Sequence, residues 1–158
     1  MRAVIWRGTL PLLRLALPIL ALFALAACTG GNTVPKSEPS FYRNLARPGA
    51  ILDDAAAASM ISGYRANNGL PAVSLDPELT RLAAAQADMM AKRDRLDHGA
   101  GKPFVARLKA SGYDAKTAAE NISAGYHTLA EAFSGWRDSP PQRANMLLKG
   151  ATRMGIAA

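Results

Sequence analysis

A chain of 158 residues that is 49% apolar can bury a core in one domain, which excludes wholesale disorder. The formal charge of +7 is uneven: Arg2, Arg7 and Arg14 precede Cys28 with no acid among them, leaving 16 of the 19 basic residues against 12 acidic ones, a net +4. No basic stripe interleaved with aromatics accompanies that charge, so nucleic acid is excluded as a partner, and an anionic membrane or cell wall fits better.

The N-terminus reads as an address. Arg2 and Arg7 precede an apolar run from Leu15 to Ala27, shorter than the roughly 20 residues of a membrane span. The run closes on Leu25-Ala26-Ala27-Cys28, which resembles a bacterial lipobox, and Cys28 is the only cysteine in the chain. The resemblance implies cleavage after residue 27, lipidation of Cys28 and anchorage to a membrane. Thr29 follows the cysteine where Asp would retain the protein inside. By resemblance to Gram-negative sorting rules, that points to the outer membrane. A lone cysteine also excludes an internal disulfide framework. Residues 28–52 form the lipidated cysteine and a tether rich in Gly, Pro, Ser and Thr. Its last part, FYRNLARPGA, has the composition of a stub that packs on the domain.

The domain proper is expected over residues 53–158. A first helix starts at Asp53 or Asp54, runs with Ala57, Met60, Ile61 and Tyr64 on one face, and stops at Asn67-Asn68-Gly69. Residues 70–73 are an extended link. Asp76-Pro77-Glu78 is an N-cap, a first-turn proline and a dipole-matching acid, and predicts a second helix. Its stripe is Leu79, Leu82, Ala83, Gln86, Ala87 and Met90, and His98-Gly99 is expected to close it. A short third helix points Phe104, Val105 and Leu108 inward and ends at Gly112. Residues 118–125, AAENISAG, read as a strand with Glu120 and Ile122 on one face. Thr128-Leu129-Ala130-Glu131 is a capping box opening a fourth helix, whose face is Leu129, Ala132, Phe133 and Trp136. Pro140-Pro141 stop that helix and start a further turn carrying Gln142, Arg143, Asn145 and Met146, and residues 152–156 read as a final strand. Helices packed on a small sheet make an α+β domain.

His98-Gly99, Glu120-Asn121-Ile122, Trp136, Ser139-Pro140-Pro141-Gln142-Arg143-Ala144-Asn145 and Met154-Gly155-Ile156 occur in an order and spacing that resembles bacterial members of the CAP superfamily. That superfamily includes the cysteine-rich secretory proteins, the insect venom antigens and the plant pathogenesis-related proteins. The resemblance covers about residues 53–158 and implies an α-β-α sandwich with a shallow central cleft. By position it makes His98 the first cleft histidine and Glu120 the cleft glutamate. Gln142 stands where relatives usually have a second histidine. Ser139 stands where animal relatives often have a second glutamate. Asn121, Trp136, Arg143 and Asn145 match positions that look structural. Relatives usually continue past the Gly-Ile strand, whereas this sequence ends at Ala158. Either the sequence is incomplete or the sheet lacks its C-terminal edge strand.

In some relatives the cleft histidines bind zinc, which wants at least three nitrogen, sulfur or carboxylate ligands. Here His98 and Glu120 are candidates and a neutral Gln142 amide is a poor third, so no metal or other cofactor is expected. His98 also has a plainer reading beside a helix C-terminus and a capping glycine, where it would stabilise the dipole. A partly buried Glu120 needs a partner, for which His98 and Arg143 are the candidates. His127 reads as a solvent-facing loop residue, and the capping box explains Glu131. A His98–Glu120 pair could serve as acid and base on a water. Yet there is no Gly-x-Ser-x-Gly elbow, and the only cysteine is expected to be lipidated. The expected function is therefore an envelope lipoprotein that binds a lipid, a peptide or cell-wall material without chemistry. The alternatives are a metal-dependent or acid–base hydrolase and a structural protein with a vestigial cleft.

Overall fold

The structure, a computed structural model, describes residues 37–99 and 101–158. The signal segment, Cys28 and the first part of the tether lie outside the described residues. Helix α1 spans Asp54–Asn67. Its N-cap Asp53 accepts the Ala56 amide at 2.9 Å, and Gly69 adopts the left-handed φ of 71° just past its end. Helix α2, Pro77–Arg93, is capped by Asp76, whose carboxylate accepts the amides of Glu78 and Leu79 at 3.0 and 3.1 Å. The predicted stripe of α2 is the face turned away from solvent, with Gln86 buried on it.

The end of α2 departs from expectation. The helix stops at Arg93 because Asp94 takes a left-handed φ of 47° and Arg95 N–H then reaches back to the Met90 carbonyl at 3.1 Å. His98 thus lies in the loop beyond and does not serve the helix dipole. Helix α3, Phe104–Ala110, buries Leu108, but Val105 faces solvent at 73% exposure, contrary to its predicted inward role. Helix α4, Leu129–Asp138, opens on the predicted capping box. Thr128 Oγ1 accepts the Glu131 amide, and the Glu131 carboxylate accepts the amides of His127 and Thr128. Helix α5, Pro140–Met146, follows at once, with Ser139 as the hinge residue capping both.

The sheet is small. Strand β1, Ser74–Leu75, which follows the extended link and is not among the expected strands, pairs in parallel with β2, Arg153–Met154, the middle of the predicted final strand. Its bonds run from Ser74 N–H to the Thr152 carbonyl at 3.0 Å and from Asp76 N–H to the Met154 carbonyl at 2.8 Å. Residues 118–125, expected as a strand, carry no strand and join no ladder among the described residues; α5 side chains take the carbonyls of Glu120 and Ile122 instead, as shown below. The core centres on Ala57, Leu129 and Ile156, with Met60, Trp136 and Met154 against it. Tyr64 of α1 meets Phe133 of α4 edge to face, 5.5 Å between ring centres. The stub packs too: Phe41 lies against the core and Leu45 N–H donates to the His127 carbonyl at 2.7 Å. Together these elements make an α+β fold with helices packed around a small sheet.

Arg65 is the largest fully buried side chain described, 1% exposed on α1. Its guanidinium donates to four carbonyls: Pro71 at 2.9 Å, Met146 at 2.9 Å, Leu148 at 3.0 Å and Ala151 at 3.0 Å. It ties the end of α1 to the link before β1 and to the loop between α5 and β2.

Two N-caps make stability depend on acid. The Ser40 hydroxyl and the Ala56 amide hold Asp53 below the usual carboxylate range, and the Leu79 amide does the same for Asp76. A carboxyl depressed in the fold adds stability above its unfolded value and loses it as pH falls through the folded value. The melting midpoint is therefore expected to fall below pH of about 4. An Asp53→Asn/Asp76→Asn variant should show a shallower acid slope in the same pH series.

Candidate functional site

The site is assembled on three supports. The first is the loop after α2. Gln86, buried on α2, donates its amide to the Asp97 carbonyl at 2.7 Å, and Gly99 N–H donates to the Asp97 carboxylate at 2.8 Å. Together these fix the residues on either side of His98. The second is α3, which carries Arg107 one turn after Phe104. The guanidinium lies 5.5 Å from that ring. The third is the extended segment around Glu120.

Side chains from α5 hold that segment. Gln142 Nε2 donates to the Ile122 carbonyl at 3.0 Å, and Asn145 Nδ2 donates to the Glu120 carbonyl at 3.1 Å and to Asn121 Oδ1 at 2.9 Å. Asn121 Nδ2 donates in return to the Gln142 carbonyl at 2.9 Å. The polar residues after the two prolines thus replace the neighbouring strand that the segment lacks. Gln142 is a clamp on backbone, and its amide nitrogen is committed to that bond.

The structure brings His98 and Glu120 together: Nδ1 of His98 is 2.8 Å from Glu120 Oε1. The second partner of Glu120 is Arg107. Nη2 of Arg107 donates to both carboxylate oxygens, at 2.8 and 2.6 Å, while its Nε donates to the Lys102 carbonyl at 3.1 Å. Arg143, the other predicted partner, faces solvent and reaches only the Arg137 carbonyl, at 3.4 Å. The α5 register turns Arg143 outward while Gln142 and Asn145 face the segment. Side-chain exposure is 13% for Glu120 and 14% for Arg107 against 56% for His98, so a shielded ion pair carries a histidine at its outer edge. The sequence reading missed Arg107. The available signal was its spacing of three from Phe104, which puts it on the same face of α3 as that ring.

A cavity of about 1100 Å³ adjoins this cluster. Leu79, Leu82 and Met90 of α2 face it, with Trp136 and Met154 among its other apolar walls. Of the residues predicted for the cleft, Glu120 lines it, while His98, Ser139 and Gln142 do not. Asn121, Asn145 and Trp136, expected to be structural, line it as well. The Trp136 indole N–H is buried without a hydrogen-bond partner among the described residues. Ser139 contributes its carbonyl, which accepts the Arg143 amide at 2.8 Å, and makes no side-chain cap.

The zinc implied by the resemblance does not fit these residues. No group of three His, Cys, Asp or Glu occurs among the described residues. The two donors that do meet are already engaged with each other and with Arg107.

Residues 58–158 match the family model described as CAP, the cysteine-rich secretory protein family. No curated protein matches the chain. Among solved structures, the chain is similar to an extracellular protein containing an SCP domain from Bacillus anthracis, at 22% identity and a TM-score of 0.61 over 65% of this chain and 35% of that one. A cysteine-rich secretory protein from Staphylococcus aureus gives 16% identity and 0.55, over 66% of this chain and 34% of that one. The chain spans about a third of the length of these two. An outer surface protein of Borrelia burgdorferi gives 19% identity and 0.57, over 64% of this chain and 76% of that one.

Proposed function

This chain belongs to the cysteine-rich secretory protein family, and from that premise we propose that it is an exported, envelope-anchored binding module whose cavity takes an apolar ligand without transforming it. The lipobox-like run ending at Cys28 supports the anchor, and Thr29 supports placement at the outer membrane. The similar structures from Bacillus anthracis and Borrelia burgdorferi, described as extracellular and outer-surface proteins, fit export. The observation that carries the binding reading is the cavity itself, whose walls join the apolar Leu79, Leu82, Met90 and Met154 to the charged Arg107 and Glu120. A ligand with an apolar body and one polar end, such as a lipid acyl chain with its carboxyl or an apolar peptide, would suit those walls. The hydrolase reading draws on the 2.8 Å His98–Glu120 contact. Against it, Arg107 occupies both Glu120 oxygens, which leaves the carboxylate less free to act on a water.

The test is quenching of Trp136 fluorescence by a brominated fatty acid, with the purified full-length protein carrying Trp6→Phe, which leaves Trp136 as its one tryptophan. Saturable quenching is expected, and Ala87→Phe, which fills the cavity from α2, should weaken it about tenfold. Quenching that does not saturate, or that ignores Ala87→Phe, rules the cavity out as the binding site. Turnover of a fatty-acid ester that disappears in His98→Ala would instead establish the hydrolase.

A further inference from the structure

We infer that Arg107 supplies the cation of the His98–Glu120 pair, so that this site is organised by a guanidinium where a metal-binding version would use the ion. Glu120 is a nearly buried carboxylate and needs a positive partner at close range. Arg107 meets that need completely. One Nη2 lies within 2.8 Å of both carboxylate oxygens and 3.4 Å from the His98 carbonyl, so the same nitrogen holds the glutamate and the backbone of the histidine. Arg107 is itself fixed, by the Lys102 carbonyl on Nε and by the Phe104 ring below the guanidinium plane. A divalent ion at Glu120 would have to displace this guanidinium, and the displaced charge would remain close by and repel it.

The departure at Gln142 has the same sense. Its amide holds the Ile122 carbonyl and so helps mount the segment that bears Glu120. Arg107 is accordingly a positioning residue: it sets the carboxylate, and the carboxylate orients the imidazole through Nδ1. It follows that restoring a histidine at 142 is not sufficient to restore a metal site. The guanidinium must leave as well. This inference stands apart from the ligand of the cavity and survives if no lipid or peptide binds there.

The experiment uses cobalt(II) and zinc as probes on the full-length protein, reading the visible absorption of cobalt and the melting midpoint with zinc. The wild type and Gln142→His should show neither the cobalt band nor a zinc shift. Arg107→Met/Gln142→His should show both. Metal binding by Gln142→His with Arg107 in place overturns the inference, and so does a folded double variant that binds none. If the methionine variants do not fold, Arg107→Gln/Gln142→His keeps a donor toward Glu120 while removing the charge, and the same outcomes apply. A further reading needs no variant. The imidazole resonances of wild-type His98 should stay in place through a zinc titration to millimolar concentration, and their specific broadening would overturn the inference.

Discussion

Arg65→Met is expected to lower the unfolding free energy by about 4 kcal/mol, from the loss of several hydrogen bonds of a buried charged donor to neutral carbonyls. Four carbonyls lose the guanidinium together, those of Pro71, Met146, Leu148 and Ala151, and of these Leu148 keeps the Ala151 amide at 3.4 Å. Each buried acceptor left unpaired costs about 1–3 kcal/mol, and the partly buried ones recover some of that from water. The methionine fills most of the volume, so the loss reports hydrogen bonding and little cavity. Arg65→Lys should recover only a small part, because an ammonium cannot reproduce the fork that spans four acceptors. Guanidinium chloride denaturation followed by circular dichroism would check both. A loss below about 1 kcal/mol for Arg65→Met would show that the carbonyls find other donors. The effect is large because the described hydrophobic core is modest and the only cysteine lies outside the domain, so backbone clips of this kind do work that disulfides do elsewhere.

Gly155→Ala should be nearly as damaging, at about 3 kcal/mol, toward the upper end of overpacking costs. A Cβ at 155 would fall on the backbone of Leu79 and Thr80, which cannot rotate away as a side chain can. β2 would be driven from the start of α2. The bond from Asp76 N–H to the Met154 carbonyl, half of the sheet's pairing, would go with it. Gly63→Ala is the matching contrast. It lies within α1 with nothing near its Cβ position, and there alanine should stabilise by about 0.5–1 kcal/mol through helix propensity. Parallel urea melts of the two variants would read opposite signs, and two small changes of the same sign would mean that β2 does not rest on α2 as described.

Much of the fold was legible because helix signals are local. Asp53, Asp76 and the Thr128–Glu131 box announced three helix starts, and the structure has all three. The stop of α2 was not legible, since a left-handed Asp94 is not written in composition, and the histidine's apparent helix-end role vanished with it. Residues 118–125 looked like a strand because their alternation is real. A strand also needs a neighbour, and no local pattern says whether one is there. For the candidate site, the resemblance put His98 and Glu120 in the cleft and the need of a part-buried carboxylate for a partner left His98 and Arg143 as candidates, whereas Arg107 was not legible, because its role depends on where α3 packs. Arg65 was similarly hidden, although its spacing of eight from Ala57 and four from Ile61 put a cation on an apolar face.

The mounting of residues 120–122 by α5 separates two kinds of information. A strand in a sheet is held by its neighbours, and its own side chains must suit both faces. Here the grip is on the carbonyls of Glu120 and Ile122, which every amino acid possesses, and of the specifying side chains Asn121 alone sits on the segment, bonded to Gln142 and Asn145 of α5. Ala118, Ala119, Ser123 and Ala124 are therefore free to change in sequence without loosening the mount, while Gln142 and Asn145 are not. That is how a segment diversifies while its frame stays put: most of the grammar is kept on the helix, and the vocabulary on the segment it carries.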